Sequence, residues 1–351
     1  MSQSQSMSAQ DEDPIFVSLG LFVVDELRFP SRNTLYDVPG GSEIYATLGA
    51  RLLKSSPHSA AIGCIVLAGQ GFPQTVLDML RNWDMGLQIC EMPERPTTRG
   101  LLVYEDEDFG QKSFTYVTPP LQPQASHLEH SKLLRSKSYH LLGAPEELES
   151  QVMALTHLRE KHGIADTPLI VWEPRPPECK TDNFAAHLHV CHHVNVFSPN
   201  HLEIGYLIDG EEVIEEQFSR SAIERRARKF IESGVGRNGE GLVVVRCGEH
   251  GSLTMSRSQT LWVPSFYERS SPKVVDPTGA GNAFLGGFTV ALQELGDSRE
   301  ASLCGSVTAS FALEQLGLPR LTVTSETSRE LWNGADARAR LEEFRARLLQ
   351  E

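Results

Sequence analysis

The sequence predicts an α/β fold built on a mainly parallel central sheet. Two patterns carry that prediction. Short apolar runs alternate with longer amphipathic stretches along most of the 351 residues, as successive βαβ units require. The densest glycine cluster, "DPTGAGN" (276–282), stands between an apolar run and a helical repeat, the arrangement of a strand, a turn and a helix start. A third observation adds a smaller element: "TTRGLLVYEDEDFGQKSFTYV" (97–117) reads as a hairpin around an acidic turn, inserted as a lid or edge extension.

In chain order, the opening "MSQSQSMSAQDED" is polar and acidic, without the basic and apolar regions of a signal peptide, so 1–13 is expected to be a disordered tail. Strands are expected at 15–24, 60–68, 138–143, 168–173, 194–199 and 241–247, each a compact apolar run. Helical spacing marks 42–53, 73–83, 146–163, 221–234, 279–297 and 299–317. Residues 118–136 read as a loop. The basic stretch "RSAIERRARK" (220–229) reads as a solvated helix face. With no repeat and no interior linker, residues 14–325 form one domain, its lid strands near 25–40 and 97–117, followed by a helical extension over 326–351.

Composition narrows the function. No apolar run reaches the ~18 residues of a membrane-spanning helix. The six cysteines are scattered, several inside apolar runs, which points to reduced thiols and a cytoplasmic protein. A net charge of −14 argues against a nucleic-acid or anionic-membrane surface but leaves room for a local nucleotide pocket.

Three readings compete for the glycine turn. One is an ordinary strand–helix connection. A dinucleotide fingerprint fails on spacing, because the next glycine after Gly279 and Gly281 is Gly286. No G-x-x-x-x-G-K-[ST] pattern occurs. The third reading is an anion hole in which Gly279, Ala280 and Gly281 present backbone N–H groups to a transferring phosphoryl group. The next side chain is Asn282, an amide that orients a hydroxyl but cannot hold its proton.

These residues carry a resemblance. Val275–Phe288 resembles the second signature of the pfkB (ribokinase-like) carbohydrate and nucleoside kinases, usually D-T-x-G-A-G-D, and "VPGGSEIYATLGARL" (38–52) is similar to the first. "SPNHLE" (198–203) matches the N-x-x-E motif, and "VVVRCGEHG" (243–251) the strand and turn along the nucleotide. Over residues 14–320 the chain looks most like fungal pfkB-like proteins, which include a yeast protein needed to maintain killer-virus RNA. The resemblance implies a ribokinase-like three-layer α/β/α sandwich with a small β lid. It implies ATP and Mg²⁺, with Asn200, Arg246, Gly248, Gly251 and Thr278 toward the nucleotide and Glu203 toward the metal, through water. It places a sugar, nucleoside or similar polyol against Asp25, Gly40 and Gly41, with Tyr45, Glu173 and the lid residue Arg99 as further acceptor-side candidates. A homodimer through the lid is compatible with it.

Two departures stand out. Tyr45 occupies a position where the family often has Asn, and Asn282 occupies that of the catalytic aspartate. Positioned base catalysis is worth ~10²–10⁴-fold, so three functions stay open: a slow kinase, a pseudokinase acting through a partner, or another ATP-dependent reaction on the same fold. Separately, "HLHVCHH" (187–193) invites a zinc reading, but no paired ligand spacing is present and a solvent-facing helix end is favoured.

Overall fold

A computed structural model describes residues 12–106, 112–210, 218–268, 270–324 and 328–350. Its first strands are β1 (Phe16–Ser18), β2 (Val23–Arg28), β3 (Leu35–Gly40), β4 (Ile62–Gln70), β5 (Gly86–Pro96), β6 (Arg99–Tyr104) and β7 (Lys112–Tyr116). Then come β8 (Ser138–Gly143), β9 (Leu169–Pro174), β10 (Val196–Phe197), β11 (Leu242–Arg246), β12 (Ser252–Met255) and β13 (Thr260–Val263), with a short hairpin of β14 (Leu321–Val323) and β15 (Glu330–Trp332). The helices are α1 (Ser42–Leu53), α2 (Gln74–Asn82), α3 (Pro145–Lys161), α4 (Phe184–Cys191), α5 (His201–Asp209), α6 (Arg220–Ser233), α7 (Ala280–Leu295), α8 (Ser298–Leu313) and α9 (Ala337–Leu348).

The main sheet runs β13-β12-β11-β10-β9-β8-β1-β4-β5, parallel from β11 to β5, with β12 and β13 added antiparallel at one edge. Side chains alternate across a strand, and that alternation sorts the core. Ile170, Trp172, Val243 and Val245 face one layer with Leu148 of α3, Ile204 of α5 and Phe230 of α6. Val171, Val196 and Val244 face the other with Leu48 of α1, Phe288 of α7, Val307 of α8 and Phe344 of α9. The result is a three-layer α/β/α sandwich. A separate sheet, β3-β2-β6-β7, is the lid.

The apolar run 15–24 is not one strand, as the sequence suggests. β1 pairs with β4 and β8 in the main sheet, whereas β2 belongs to the lid and pairs with β3 and β6. Between them the chain is fastened to the start of α1, where Leu21 N–H donates to Ser42 Oγ (3.0 Å) and Glu43 N–H to the Leu21 carbonyl (3.1 Å). Asp25 therefore sits in the lid and not at the tip of a main-sheet strand. The hairpin over 97–117 is β6 and β7, paired antiparallel, its tip at 107–111 outside the described residues. The expected tail lies outside them as far as residue 11, and the boundary at 325–326 also falls outside. None of the six cysteines, all of them among the described residues, is joined in a disulfide. Among the described residues no helix is long and apolar enough to cross a membrane.

One crossing fixes α7. A Cβ added at Gly49 would lie 1.9 Å from the Ala283 carbonyl oxygen, and one at Gly286 would lie 1.8 Å from that of Ala46. The two helix backbones touch there, and only glycine permits it. In an unconstrained helix Gly→Ala stabilises by about 1 kcal/mol; here Gly286→Ala is expected to destabilise by about 1–3 kcal/mol as the helices are forced apart. Urea denaturation reads the sign.

Candidate active site

Helix α7 begins at Gly279, which caps it in the left-handed conformation at φ +77°. The first ladder bond runs from Ala283 N–H to the Gly279 carbonyl (2.9 Å), so the amides of Gly281 and Asn282 point out of the helix end. That end carries the positive pole of the helix and suits an anion. The turn before it is braced from the lid. Asp276 Oδ1 accepts from Thr278 N–H (3.1 Å), Thr278 Oγ (2.7 Å) and Lys112 Nζ (2.9 Å), while Tyr104 OH donates to Asp276 Oδ2 (2.8 Å). Lys112 also donates to Thr278 Oγ. Strands β6 and β7 thus latch onto the glycine turn.

The Asn282 amide is not free to act alone. Its Nδ2 donates to Glu173 Oε2 at 2.5 Å. The same oxygen lies 3.0 Å from His140 Nε2, and Arg246 Nη1 pairs with Glu173 Oε1 at 2.8 Å. Burial opposes ionisation of Glu173, but Arg246 and His140 outweigh it and hold the carboxyl below the ordinary glutamate range. Arg246 also donates to the Ser198 carbonyl (3.0 Å) and stands 3.6 Å from Glu203. A Cβ on Gly281 would lie 2.5 Å from its Nη1, which places the guanidinium at the mouth of α7.

The N-x-x-E motif is first of all a capping box. Asn200 Oδ1 accepts from the N–H groups of Leu202 (2.9 Å) and Glu203 (2.8 Å), and Glu203 Oε2 accepts from Asn200 N–H (2.6 Å). Burial pushes Glu203 up to about 7, with Arg246 opposing. Each of its carboxylate oxygens accepts one bond from Asn200, leaving lone pairs for the water shell of a Mg²⁺ ion. The residues present fit that ion. Glu173, Asn200, Glu203, Arg246, Gly248, Gly251 and Ala280–Asn282 line one cleft of about 790 Å³. Phe266, Tyr267, Val274 and Leu313 give it an apolar wall of the kind a nucleobase would occupy.

Across the glycine turn lie the residues expected to face an acceptor. Asp25 is buried, and a Cβ on Gly40 or Gly100 would meet its carboxylate at 2.1 or 2.3 Å, so glycine on both neighbouring strands makes its space. Its Oδ1 has no hydrogen-bond partner, and burial pushes the carboxyl up to about 7. Gly41 precedes α1, and its carbonyl accepts from Tyr45 N–H (3.4 Å). The Tyr45 ring packs against Gly279, whose added Cβ would lie 2.2 Å from it, and burial keeps the phenol neutral. Arg99 turns elsewhere, to Asp37 (3.0 Å) and the Gly71 carbonyl (3.2 Å).

The histidine run divides. His187 and Cys191 are fully buried, so the solvent-facing expectation fails for them; His187 stacks on Trp172 and its Nδ1 is 2.8 Å from the Asn183 carbonyl oxygen. His189 and His193 are exposed beside Glu149 (3.3 and 3.8 Å). Sequence reasoning missed His140, Tyr104 and Lys112, while Asp276 stood in view at the head of "DPTGAGN" without a role. A histidine alone inside the apolar run "SYHLLG" was the one visible signal for the first, and the rest depend on the lid folding back.

A glycine-capped helix mouth with Asn200–Glu203 on one side and a buried lid aspartate on the other agrees with the family comparison, where the model of the pfkB family carbohydrate kinases matches residues 33–322. The chain belongs to the pfkB family. It is 33% identical over 352 residues to an uncharacterised protein of Schizosaccharomyces pombe, covering 96% of this chain and 94% of that one. It is 29% identical over 338 residues to protein MAK32 of Saccharomyces cerevisiae, covering 91% and 89%. Among solved structures, ribokinase from Giardia lamblia superposes with a TM-score of 0.70 at 17% identity, over 96% of this chain and 100% of that one.

Asp25 yields a prediction about pH. Its folded carboxyl holds the proton more tightly than the unfolded one, so its contribution to stability is present below pH 4 and is lost as the pH rises toward 7. Asp25→Asn, which removes the buried charge, is therefore expected to be more stable than the parent at pH 8 by about 2–4 kcal/mol, at roughly 1.4 kcal/mol per pKa unit. The gain shrinks toward pH 4, as urea titrations at both pH values would show.

Proposed function

We propose that this pfkB-family protein is an ATP-dependent phosphotransferase that moves a γ-phosphoryl group to a hydroxyl of a sugar, nucleoside or similar small polyol. The observation that carries the reading is the position of the α7 mouth: its outward amides lie between the cleft that holds Arg246 and Glu203 and the lid side that holds the unpartnered Asp25 oxygen. ATP would lie with its base against Phe266 and Tyr267, and its phosphates would run past Arg246 to Gly279–Gly281. Asp25 would accept from acceptor hydroxyls, and Asn282 would orient the attacking one. Glu203 would hold a Mg²⁺ ion through water, and that ion would supply neutralisation of the phosphate charge. Cysteines held as thiols support a cytoplasmic setting.

A second reading, a nucleotide-binding pseudokinase, is favoured by the commitment of the Asn282 amide to Glu173. Calorimetry with ATP and ADP, followed by ADP formation over ribose, deoxyribose, fructose 6-phosphate, inositol and adenosine, separates the two. Binding with turnover of one acceptor is expected. Binding without turnover would leave the pseudokinase, and absence of nucleotide binding would overturn both. Asp25→Asn is expected to keep nucleotide affinity while losing acceptor-dependent ADP formation.

The lid also supports a homodimer. Leu35, Phe114 and Tyr116 are exposed on β3 and β7 and share one face of the lid sheet by register, an apolar face that a second copy would cover. Sedimentation is expected to show a dimer that Phe114→Asp weakens at least tenfold.

A further inference from the structure

Position 282 cannot take a proton, but the group beside it can. Glu173 ends β9, lines the cleft and is 6% exposed. Its carboxylate is held from three other elements: Asn282 on α7 (2.5 Å), His140 on β8 (3.0 Å) and Arg246 on β11 (2.8 Å). An aspartate at 282 would put two carboxylates within hydrogen-bond distance, and one of them would have to stay protonated. The asparagine and the glutamate therefore form a unit with one acid shared between two neighbouring places.

We propose that Glu173 is the proton acceptor of this site, acting from β9 where a carboxylate at 282 would act from α7. This rests on the phosphotransferase reading. The hydroxyl oxygen of the acceptor bonds to the γ-phosphorus, the bond from that phosphorus to the β–γ bridging oxygen breaks, and ADP leaves with the electron pair. The hydroxyl proton passes to Glu173, while Asn282, which donates to the same carboxylate, fixes its position.

Arg246 gives the arrangement its timing. Its Nε is buried without a hydrogen-bond partner, and its Nη1 stands at Gly281, where a phosphate on the helix mouth would lie. Phosphate oxygens there share the guanidinium and loosen its hold on Glu173. The burial that already opposes ionisation then raises the proton affinity of the carboxyl when the acceptor is in place. Among the described residues, the charged and titratable groups facing Glu173 are His140 from β8, Arg246 from β11, Glu203 from α5 and Cys179 from the loop after β9. Ser18 Oγ lies 3.0 Å from His140 Nδ1 and fixes the far side of the imidazole.

Single-turnover transfer from ATP–Mg²⁺ to whichever of the five acceptors is turned over, with nucleotide affinity measured beside it, tests this in the full chain. Glu173→Gln keeps the size of the side chain and is expected to retain ATP binding, which separates a lost proton acceptor from a collapsed cleft. Its transfer rate should fall 100-fold or more, and the acid limb of its pH profile should disappear. Asn282→Asp is expected to change the rate less than tenfold and to move the acid limb to higher pH, because the two carboxylates share a proton. Transfer by Glu173→Gln near the parent rate, or a gain of 100-fold or more in Asn282→Asp, overturns the proposal. So does transfer by Asn282→Asp from a parent that binds ATP and transfers nothing. ATP binding with no transfer by either protein, or no ATP binding, overturns the phosphotransferase reading itself and the proposal with it.

Discussion

The ion pair of Glu173 with Arg246, closed by His140 and Asn282, joins four elements at the carboxyl edge of the main sheet. The charged pair is largely shielded from water, since Arg246 is 11% exposed and Glu173 8% at the side chain, and His140 is fully buried. Removing one partner of such a pair leaves an uncompensated charge and typically costs about 3–5 kcal/mol. The network thus holds β8, β9, β11 and α7 in mutual register, and the cleft inherits its shape from that register. The carboxylate proposed as proton acceptor is held by the same contacts that keep the cleft walls together.

What could be read from the sequence was what is local. Helical spacing located α1, α2, α3, α6, α7 and α8 to within a few residues, because each carries a continuous apolar stripe. The glycine turn and the 97–117 hairpin were legible for the same reason. The split of 15–24 was not, because β1 and β2 are both apolar and only their partners differ. β5 was hidden by Pro93, Pro96 and its charges, which an edge strand tolerates. The antiparallel pair β12 and β13 was missed because each strand is only four residues long.

At the site, the motif residues were legible and their partners were not. Asn282 could be singled out by its place in "GAGN", but the carboxylate that answers it lies 109 positions away in sequence. The N-x-x-E pattern reads as a metal motif and folds as a helix cap. Lys112 and Tyr104 bear on the glycine turn only because the lid folds over it, which no spacing within the lid reveals. Arg99, chosen because it lies in the lid, spends its charge on Asp37 at the rim.

The contact of Gly49 with Ala283 and of Gly286 with Ala46 also bears on assembly. It joins the first long helix of the chain to one near its end, so the mouth of α7 has no fixed axis until almost the whole polypeptide is present. Early-made segments can pair β1 with β4, but they cannot place α7. Contacts of such long sequence separation slow folding and leave partly built sheets exposed in the meantime. The cleft is therefore among the last features to form, and a ribosome-bound chain carries the walls of the site well before it carries the site.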